Sequence, residues 1–340
     1  MPGLAAHFGG VADDVFPAAP ALSRWLARAA AEPFTAVAME QAALALFGVA
    51  SAGHGPTVAP FRYLADTGHA PAGCCWCVDP VHLRADTRGL ILFDAVSCRL
   101  SEPEREALFV TLRDFLSETD WCLETTDSHN WYLHGLAQDQ LHTTPLSQVC
   151  GKPVSDYLPR GRAAVQWMQR SNEMQMLLHS HPVNQERAAR RLPAVNSVWI
   201  SGGGVLPEAR RAPFGQVYSD DPLLRGLALW SGAASDPPPS NASGLLPGPA
   251  TGRRMLLVRE ACLAAAAYGD AQQWSEVVVR YERDWFAPLL QALSERRLQA
   301  LELVALNGYR YHLRRRDLWR FWRRAVRWRD ALSVSESRFE

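Results

Sequence analysis

The sequence is short of lysine, of long apolar runs and of net charge of either sign. Its 35 basic residues balance 35 acidic ones, so the formal net charge is zero and no overall field attracts nucleic acid or an anionic membrane. Only Lys152 is a lysine; every other basic residue is an arginine. No apolar run approaches the roughly 18 residues that a membrane span needs, and the N-terminus lacks the apolar core of a secretory signal. We expect a cytoplasmic protein with no membrane span.

Cysteine is present in an odd number and without regular spacing, which argues against a disulfide scaffold. The seven cysteines are Cys74, Cys75, Cys77, Cys98, Cys122, Cys150 and Cys262. One tempting set of zinc ligand types is His69, Cys74, Cys77 and His82, but structural zinc sites separate their ligand pairs more widely. The alternating pattern around Cys75 and Cys77 instead favours a strand in which the cysteines serve as small apolar side chains. The sequence therefore predicts no metal site.

Several catalytic and nucleotide-binding signatures are absent. Lys152 is followed by Pro153, where a P-loop needs Ser or Thr. The glycines at 202–204 lead into Val205 without the third glycine and helix start of a dinucleotide fingerprint. There is no G-x-S-x-G elbow and no H-E-x-x-H helix, so hydrolase and zincin chemistry have no support from the sequence.

The composition is that of a folded globular protein, with 48% hydrophobic and 21% charged residues over 340 positions. Such a length suits two ordinary domains or one large one. Helical and extended patterns mix along the chain, which predicts an α/β protein of mixed α and β layers. We divide it into a helical N-terminal region (1–70), a central module (71–231), a flexible loop (232–252) and a C-terminal α/β region ending in a basic helix (253–330).

Local patterns place several elements. A turn around Thr87 and Gly89 predicts a hairpin, and Ser101 with Glu104 forms a capping box ahead of an amphipathic helix. A second helix begins near residue 162 and ends before Pro182. Its predicted apolar stripe consists of Val165, Met168, Met176 and Leu177.

Arginines cluster just after this second helix. Arg187, Arg190 and Arg191 lie within about one helical turn, beside His181 and Asn184. Together with backbone N–H groups of the glycine-rich turn they could converge on a phosphate or carboxylate. The alternative is a solvated helix face, with Asn184 capping the helix and a later asparagine, Asn196, holding a turn.

The stretch from Leu178 to Pro207 resembles the substrate cap of archaeal-type, 2,3-bisphosphoglycerate-independent phosphoglycerate mutases. The pattern consists of His-Pro-x-Asn at 181–184, Arg187, Pro-x-Asn at 193–196 and the glycine turn. Similar segments extend the resemblance over about residues 75–232. The whole chain also resembles a proteobacterial family of phosphoglycerate mutase-like and RpfE-type regulatory proteins. The resemblance implies a site for a small phosphorylated acid, with ligand residues His181, Asn184, Arg187, Arg190, Asn196 and Gly203.

The chain departs from the true mutases in their catalytic half. That half belongs to the alkaline phosphatase superfamily, whose hallmarks are an early Asp-Gly and a later Asp-x-x-x-His; neither occurs here. We therefore interpret the chain as a non-catalytic regulatory or ligand-binding protein that needs no cofactor. The alternative is a divergent phosphoglycerate mutase, which the resemblance implies would use Mn²⁺ or Mg²⁺.

The C-terminus is strongly basic and aromatic, with nine arginines and one aspartate between Tyr309 and Arg329. Two readings remain open. A helix whose Leu318, Trp322, Ala325 and Val326 pack inward is the favoured one, which makes nucleic acid an unlikely partner. The other is a platform that uses the arginines to bind a protein or a nucleic acid.

Overall fold

The computed structural model describes residues 1–6, 8, 16–36, 38–50, 55–87, 89–211, 213–246, 254–320, 322 and 327–333. The helices are α1 Pro20–Arg28, α2 Met39–Leu46, α3 Ala59–Thr67, α4 Glu102–Leu116, α5 Leu146–Val149, α6 Ala164–Ser180, α7 Pro182–Ala189, α8 Pro222–Ser231, α9 Ala261–Ala267, α10 Ala271–Tyr281, α11 Ala287–Ser294 and α12 Trp328–Leu332. Four 3-10 turns are also described, at Gln138–Gln140, Ser155–Tyr157, Ala242–Leu245 and Arg315–Trp319, and a π-helical turn, Glu282–Phe286, joins α10 to α11.

The strands form three sheets. They are β1 Ala30–Pro33, β2 Cys75–Asp86, β3 Gly89–Phe93, β4 Cys122–Thr125, β5 Trp131–His134, β6 Ser197–Gly204, β7 Gln216–Tyr218, β8 Ala234–Asp236, β9 Met255–Leu257, β10 Ala300–Val304 and β11 Tyr309–Arg314. This mixture of helices and sheets confirms the α/β prediction. No helix in the described ranges is long and apolar enough to cross a membrane.

The chain folds into two compact units. The first consists of Met1–Ala42, Pro213–Asp220 and Ala234–Glu340, and the second of Ala43–Ala212 with Asp221–Ala233. The second unit is thus inserted, in sequence, between the two ends of the first. The boundaries that the sequence suggests at residues 71 and 232 stay predictions.

The second unit is built on β2, the longest strand. β2 pairs antiparallel with β3, with β5 and with β6, while β4 extends the sheet beyond β5. The β2–β3 hairpin confirms the predicted turn, and α4 carries the predicted capping box at Ser101 and Glu104. Side chains alternate between the two faces of a strand, so β2 has two different faces.

One face of this sheet packs against α4 and α6, and the other against α3. Trp76 and Val78 of β2 join the apolar core on the first face, together with Leu108 and Leu112 of α4. Cys75 and Cys77 point the other way, toward Ala59 of α3. Behind α3, α8 approaches closely, since a Cβ atom at Gly226 would lie 1.8 Å from the carbonyl oxygen of Phe61.

The buried stripe of α6 differs from the predicted one. Val165 is 79% exposed and Met176 is 74% exposed. The buried residues are Trp167, Ser171, Met174 and Leu178, which follow each other at the three- and four-residue spacing of one helix face. The prediction was wrong for Val165, Met176 and Leu177, because it left Trp167 out of the stripe, although Met168 is partly buried against the same core.

The first unit holds two small sheets around an aromatic core. β11 lies between β1 and β10 in an antiparallel sheet, and β7 lies between β8 and β9 in a parallel one. The core includes Trp25 of α1 and the tryptophans Trp274, Trp285 and Trp328.

The basic C-terminus is not the single helix that the sequence predicted. It begins as strand β11, continues as the 3-10 turn Arg315–Trp319 and ends in α12. Tyr311 and Leu313 alternate inward on β11, a period of two that the sequence analysis missed. Leu318 does pack on the core, but Trp322 is 67% exposed. Ala325 and Val326 lie outside the described residues.

Candidate functional site

Five of the six predicted ligand residues lie where α6 ends, along α7 or just before β6, and the sixth, Gly203, lies near the far end of β6. His181 ends α6 and caps α7, because its Nδ1 accepts a hydrogen bond from the Val183 backbone N–H at 3.2 Å. Its Nε2 lies 3.0 Å from the Thr111 hydroxyl of α4. Burial lowers the pKa of His181, so the neutral ring is favoured. His181 thus joins three helices through both ring nitrogens.

Arg187 is fully buried, with no exposed surface. Its Nε donates to the carbonyl oxygen of Pro193 at 2.8 Å, its Nη1 to the Glu104 carboxylate at 2.8 Å, and its Nη2 to the carbonyl oxygen of Cys98. An arginine can satisfy several acceptors at once because its five N–H groups lie in one plane. Here all three nitrogens serve the protein itself.

The two asparagines act as backbone clamps. Asn184 is buried, donates to the carbonyl oxygens of Leu178 and Val195 at 2.7 and 2.8 Å, and accepts the Val195 N–H at 2.8 Å. Asn196 makes a two-bond pair with the backbone of Leu83 in β2, at 2.7 and 2.9 Å. The two Asn196 bonds take the place of backbone–backbone hydrogen bonds between β2 and the chain just before β6. The side chains of both asparagines therefore hold the loop before β6.

Gly203 serves packing in β6. A Cβ atom there would lie 2.1 Å from the Trp76 ring, a distance that no side chain can occupy. Trp76 is fully buried and donates its indole N–H to the carbonyl oxygen of Leu136 at 2.8 Å. The glycine therefore makes room for this tryptophan on the neighbouring strand.

Arg190 is the one of the six predicted residues that is exposed to solvent. Its side chain is 64% exposed, and its Nη1 lies 3.5 Å from Glu104, the carboxylate that Arg187 already binds at 2.8 Å. Burial opposes ionisation of Glu104, but hydrogen bonds from Ser101 and the charges of Arg187 and Arg190 outweigh it and lower its pKa. The structure thus places five of the six residues around α7 and the start of β6, four of them turned to internal contacts and Arg190 exposed, whereas Gly203 lies near the other end of β6.

A second polar group, which the sequence analysis missed, lies on the face of β4 and β5 beneath α3. Tyr63 of α3 donates its hydroxyl to Glu124 at 3.0 Å, and His134 Nε2 lies 3.1 Å from the same carboxylate. Burial, followed by Glu124, raises the pKa of Tyr63. Alternating polar residues on β4 and β5 were the available signal for this group.

Asp66 is the second carboxylate under α3. Its Oδ2 accepts from Asn130 and Tyr132, each at 2.8 Å, and from Thr126 at 3.3 Å. Burial is the first cause that raises the pKa of the Tyr132 hydroxyl, and Asp66 adds to it. The network ties α3 to β5 with hydrogen-bonded, protonated tyrosines.

Neither polar group makes a metal centre. Throughout the described ranges, no three His, Cys, Asp or Glu side chains are placed to hold a metal ion together. No residue is therefore assigned to the Mn²⁺ or Mg²⁺ of the mutase alternative, and no reaction step is derived through a metal. A polar cleft of about 380 Å³ is lined by Glu118, Asp120, Trp121 and Arg170, with Ser117, Thr119 and Gln166.

Comparison with known proteins finds a local likeness to phosphoglycerate mutases. A 2,3-bisphosphoglycerate-independent phosphoglycerate mutase of Methanothrix thermoacetophila is 36% identical over 94 residues, which is 26% of this chain and 24% of that protein. A probable enzyme of the same name from Geobacter sulfurreducens is 30% identical over 95 residues, 26% of this chain and 23% of that protein. The chain thus spans about a quarter of the length of these relatives. No family model matches it.

Two solved structures are similar over most of the chain. The PH0037 protein of Pyrococcus horikoshii aligns with a TM-score of 0.51 and 13% identity, covering 87% of this chain and 80% of that one. A cofactor-independent phosphoglycerate mutase of Thermoplasma acidophilum covers 87% of this chain and 81% of its own at 15% identity, with a TM-score of 0.41. The first likeness shows a shared fold and nothing further. Over about a quarter of its length the chain is similar in sequence to the phosphoglycerate mutases of Methanothrix thermoacetophila and Geobacter sulfurreducens.

Proposed function

We propose that this chain is a non-catalytic, regulatory or ligand-binding relative of phosphoglycerate mutase that recognises a small phosphorylated acid on its second unit. The proposed ligand contacts are Arg190 and Arg191, at the C-terminal end of α7. Both are exposed, so their guanidinium groups can donate to a phosphate from solvent. His181, Asn184 and Arg187 become the framework that holds α7 in place, while Asn196 holds the loop before β6 and Gly203 serves packing within β6.

The observation that carries this proposal is an imbalance of charge around Glu104. One carboxylate faces two arginines, and Arg187 binds it at 2.8 Å while Arg190 is 3.5 Å away. Glu104 is therefore already neutralised by the buried partner. An exposed ion pair such as the one with Arg190 is worth about 0–1 kcal/mol, so a phosphate can take Arg190 at little cost and bind it through two parallel hydrogen bonds.

The non-catalytic part rests on the sequence, which contains neither the Asp-Gly nor the Asp-x-x-x-His of the mutases' catalytic half. We further propose that the protein acts in the cytoplasm. All seven cysteines lie in the described ranges and no disulfide joins them, which supports a reducing compartment.

Calorimetric titration of 3-phosphoglycerate, with and without Mn²⁺, tests the function. We expect binding that does not need the metal, and a loss of at least tenfold in affinity in an Arg190→Ala, Arg191→Ala double variant, since each hydrogen bond to a charged group contributes about 1.5–3 kcal/mol. Arg162→Ala is the matched control, because its side chain is 86% exposed on the same unit. Glycerate and sulfate, tested alone, separate recognition of the whole acid from recognition of an anion.

Three outcomes would contradict the proposal. Absence of binding would remove the ligand, and equal losses in the double variant and in Arg162→Ala would remove the site. Metal-dependent interconversion of 2- and 3-phosphoglycerate by the purified protein would establish the mutase alternative instead.

A further inference from the structure

Two tryptophans of the first unit stand out because they are exposed. Trp319 is 69% exposed and Trp322 is 67% exposed, although tryptophan is on average a highly buried residue. Exposed arginines surround them in the chain, with Arg314 and Arg316 before Trp319 and the partly exposed Arg320 after it. We call Arg314, Arg316, Trp319, Arg320 and Trp322 the basic aromatic surface.

The basic aromatic surface is not neutralised by the acidic residue of its own segment. Asp317 is the one acid between residues 309 and 322, and it is 4% exposed. It accepts the Arg314 backbone N–H at 2.9 Å and pairs with Arg320 Nη2 at 2.8 Å. One arginine thus balances the inward-facing carboxylate, and the positive charges of Arg314 and Arg316 remain at the surface.

Contacts to α1 and α11 hold this segment in a defined position. Arg28 of α1 donates to the carbonyl oxygen of Leu318, and Arg320 Nη1 donates to the carbonyl oxygen of Arg28 at 3.2 Å. Arg315 Nε donates to the carbonyl oxygen of Ser294 at 3.3 Å. The reciprocal arginine bonds fix Leu318 and Arg320, on either side of Trp319, against α1, so less ordering is needed when a ligand binds.

α1 extends the positive charge. Arg24 is exposed one turn before Arg28, and the pKa of Arg28 is lowered first by burial and then by the charge of Arg24. The two arginines are therefore electrostatic neighbours. Arg28, which contacts Leu318, thus connects Arg24 with the segment that carries Trp319. Arginines and an exposed aromatic ring are the two components that sequence-tolerant nucleic-acid binding combines.

We propose that the basic aromatic surface, extended by Arg24, binds single-stranded nucleic acid. Trp319 stacks on a base, because every base presents a π-face, and the arginines contact the phosphates on either side. A membrane surface fits less well, since Leu318 turns into the core and, among the described residues of this surface, the two indoles are the apolar groups left to insert. This inference does not depend on the function proposed for the second unit.

Fluorescence anisotropy with labelled oligonucleotides of about 15 nucleotides tests the proposal. Oligothymidylate and oligouridylate of equal length are the two probes, and their comparison tells whether DNA or RNA is preferred. We expect Trp319→Ala to weaken binding by about 5- to 150-fold, as loss of one base stack predicts. Trp319→Phe keeps a stacking ring and should restore most of the affinity, whereas Trp319→Leu keeps only the apolar surface and should not.

The salt dependence measures the phosphate contacts. For an Arg24→Ala, Arg316→Ala double variant the slope of log affinity against log salt should become shallower by about 1.4, since each single-strand phosphate contact contributes about 0.7. Arg162→Ala, on the second unit, should leave both slope and affinity unchanged. Both substituted arginines are exposed, so equal melting temperatures are expected for all variants.

Three results would overturn the proposal. The first is no oligonucleotide binding at low salt. The second is binding that Trp319→Leu retains in full, because an apolar contact rather than stacking would then be responsible. The third is binding to vesicles of phosphatidylserine and phosphatidylcholine, or to an acidic polypeptide, at concentrations where neither oligonucleotide binds.

Discussion

Replacing Arg187 tests most directly whether this residue stabilises the fold or binds a ligand. The sequence pattern alone leads to the expectation that Arg187→Ala weakens ligand binding and leaves the fold intact. The structure leads to the opposite expectation, because Arg187 is fully buried and its three nitrogens donate to Glu104 and to the carbonyl oxygens of Cys98 and Pro193.

The size of the effect follows from what the substitution leaves behind. Glu104, whose side chain is only 13% exposed, loses its closest cation, and two buried carbonyl oxygens lose their donor. Removing one partner of a buried ion pair costs about 3–5 kcal/mol. With a urea dependence of about 2 kcal/mol per molar, the unfolding midpoint of the second unit should fall by about 2 M.

Urea unfolding followed by tryptophan fluorescence measures this shift in midpoint. A double-mutant cycle then determines how much of the lost stability comes from the contact between Arg187 and Glu104. Glu104→Gln removes the unpaired charge, so combined with Arg187→Ala it should cost less than the sum of the two single changes. Arg187→Lys keeps the charge but not the planar fork of donors and should recover only part of the stability. An Arg187→Ala protein that unfolds at the wild-type midpoint but no longer binds 3-phosphoglycerate would refute the reasoning and restore Arg187 as a ligand residue.

Two further predictions concern β6 and β2. Gly203→Ala should lower the free energy of unfolding by about 1–3 kcal/mol or more, because the added Cβ would lie 2.1 Å from Trp76. Gly73→Ala is the control, since nothing lies within 4 Å of its Cβ, and it should change that free energy by less than about 0.5 kcal/mol. Similar values for both variants in chemical unfolding would contradict the packing role of Gly203. Burial, aided by the charges of Arg84 and Arg187, lowers the pKa of His82 below its usual 6.5. The unfolded chain therefore binds a proton at His82 more readily than the folded chain does. The free energy of unfolding should consequently fall as the pH drops below about 6.5. His82→Gln should flatten this dependence between pH 7.5 and 5.5, and an unchanged pH profile would show that His82 does not contribute.

Predictions that rest on local geometry were confirmed. The capping box at Ser101 and the hairpin that returns at Gly89 depend on residues within a few positions of each other. Backbone and side chains there satisfy one another without help from the rest of the chain, so the amino-acid sequence alone is enough to recognise them.

Predictions that required knowing what a surface packs against were wrong. On α6 the sequence offers apolar residues on more than one face, and contact with the sheet decides that Trp167 is buried while Val165 is not. At the C-terminus the same uncertainty hid strand β11, since alternation over six residues is a weak signal beside many arginines.

The candidate site shows the same division. Residue types and spacing identified a segment in which histidine, asparagine and arginine act together, and the structure does bring these residues into one region. Whether an arginine meets a ligand or a carbonyl oxygen depends on its burial, and burial depends on residues far away in sequence, such as Glu104, which lies 83 positions before Arg187.

The order of residues was thus sufficient for the α/β class, the caps, the hairpin and the segment that carries the polar cluster, because each depends on short-range periodicity or on the chemistry of a few neighbours. The inward direction of Arg187, the outward direction of Arg190 and Trp319, and the polar groups beneath α3 were decided by tertiary packing. The physical reason is that covalent structure determines the charge and hydrogen-bonding capacity of a side chain. Its partners and its exposure to water are determined only when distant segments of the chain pack together.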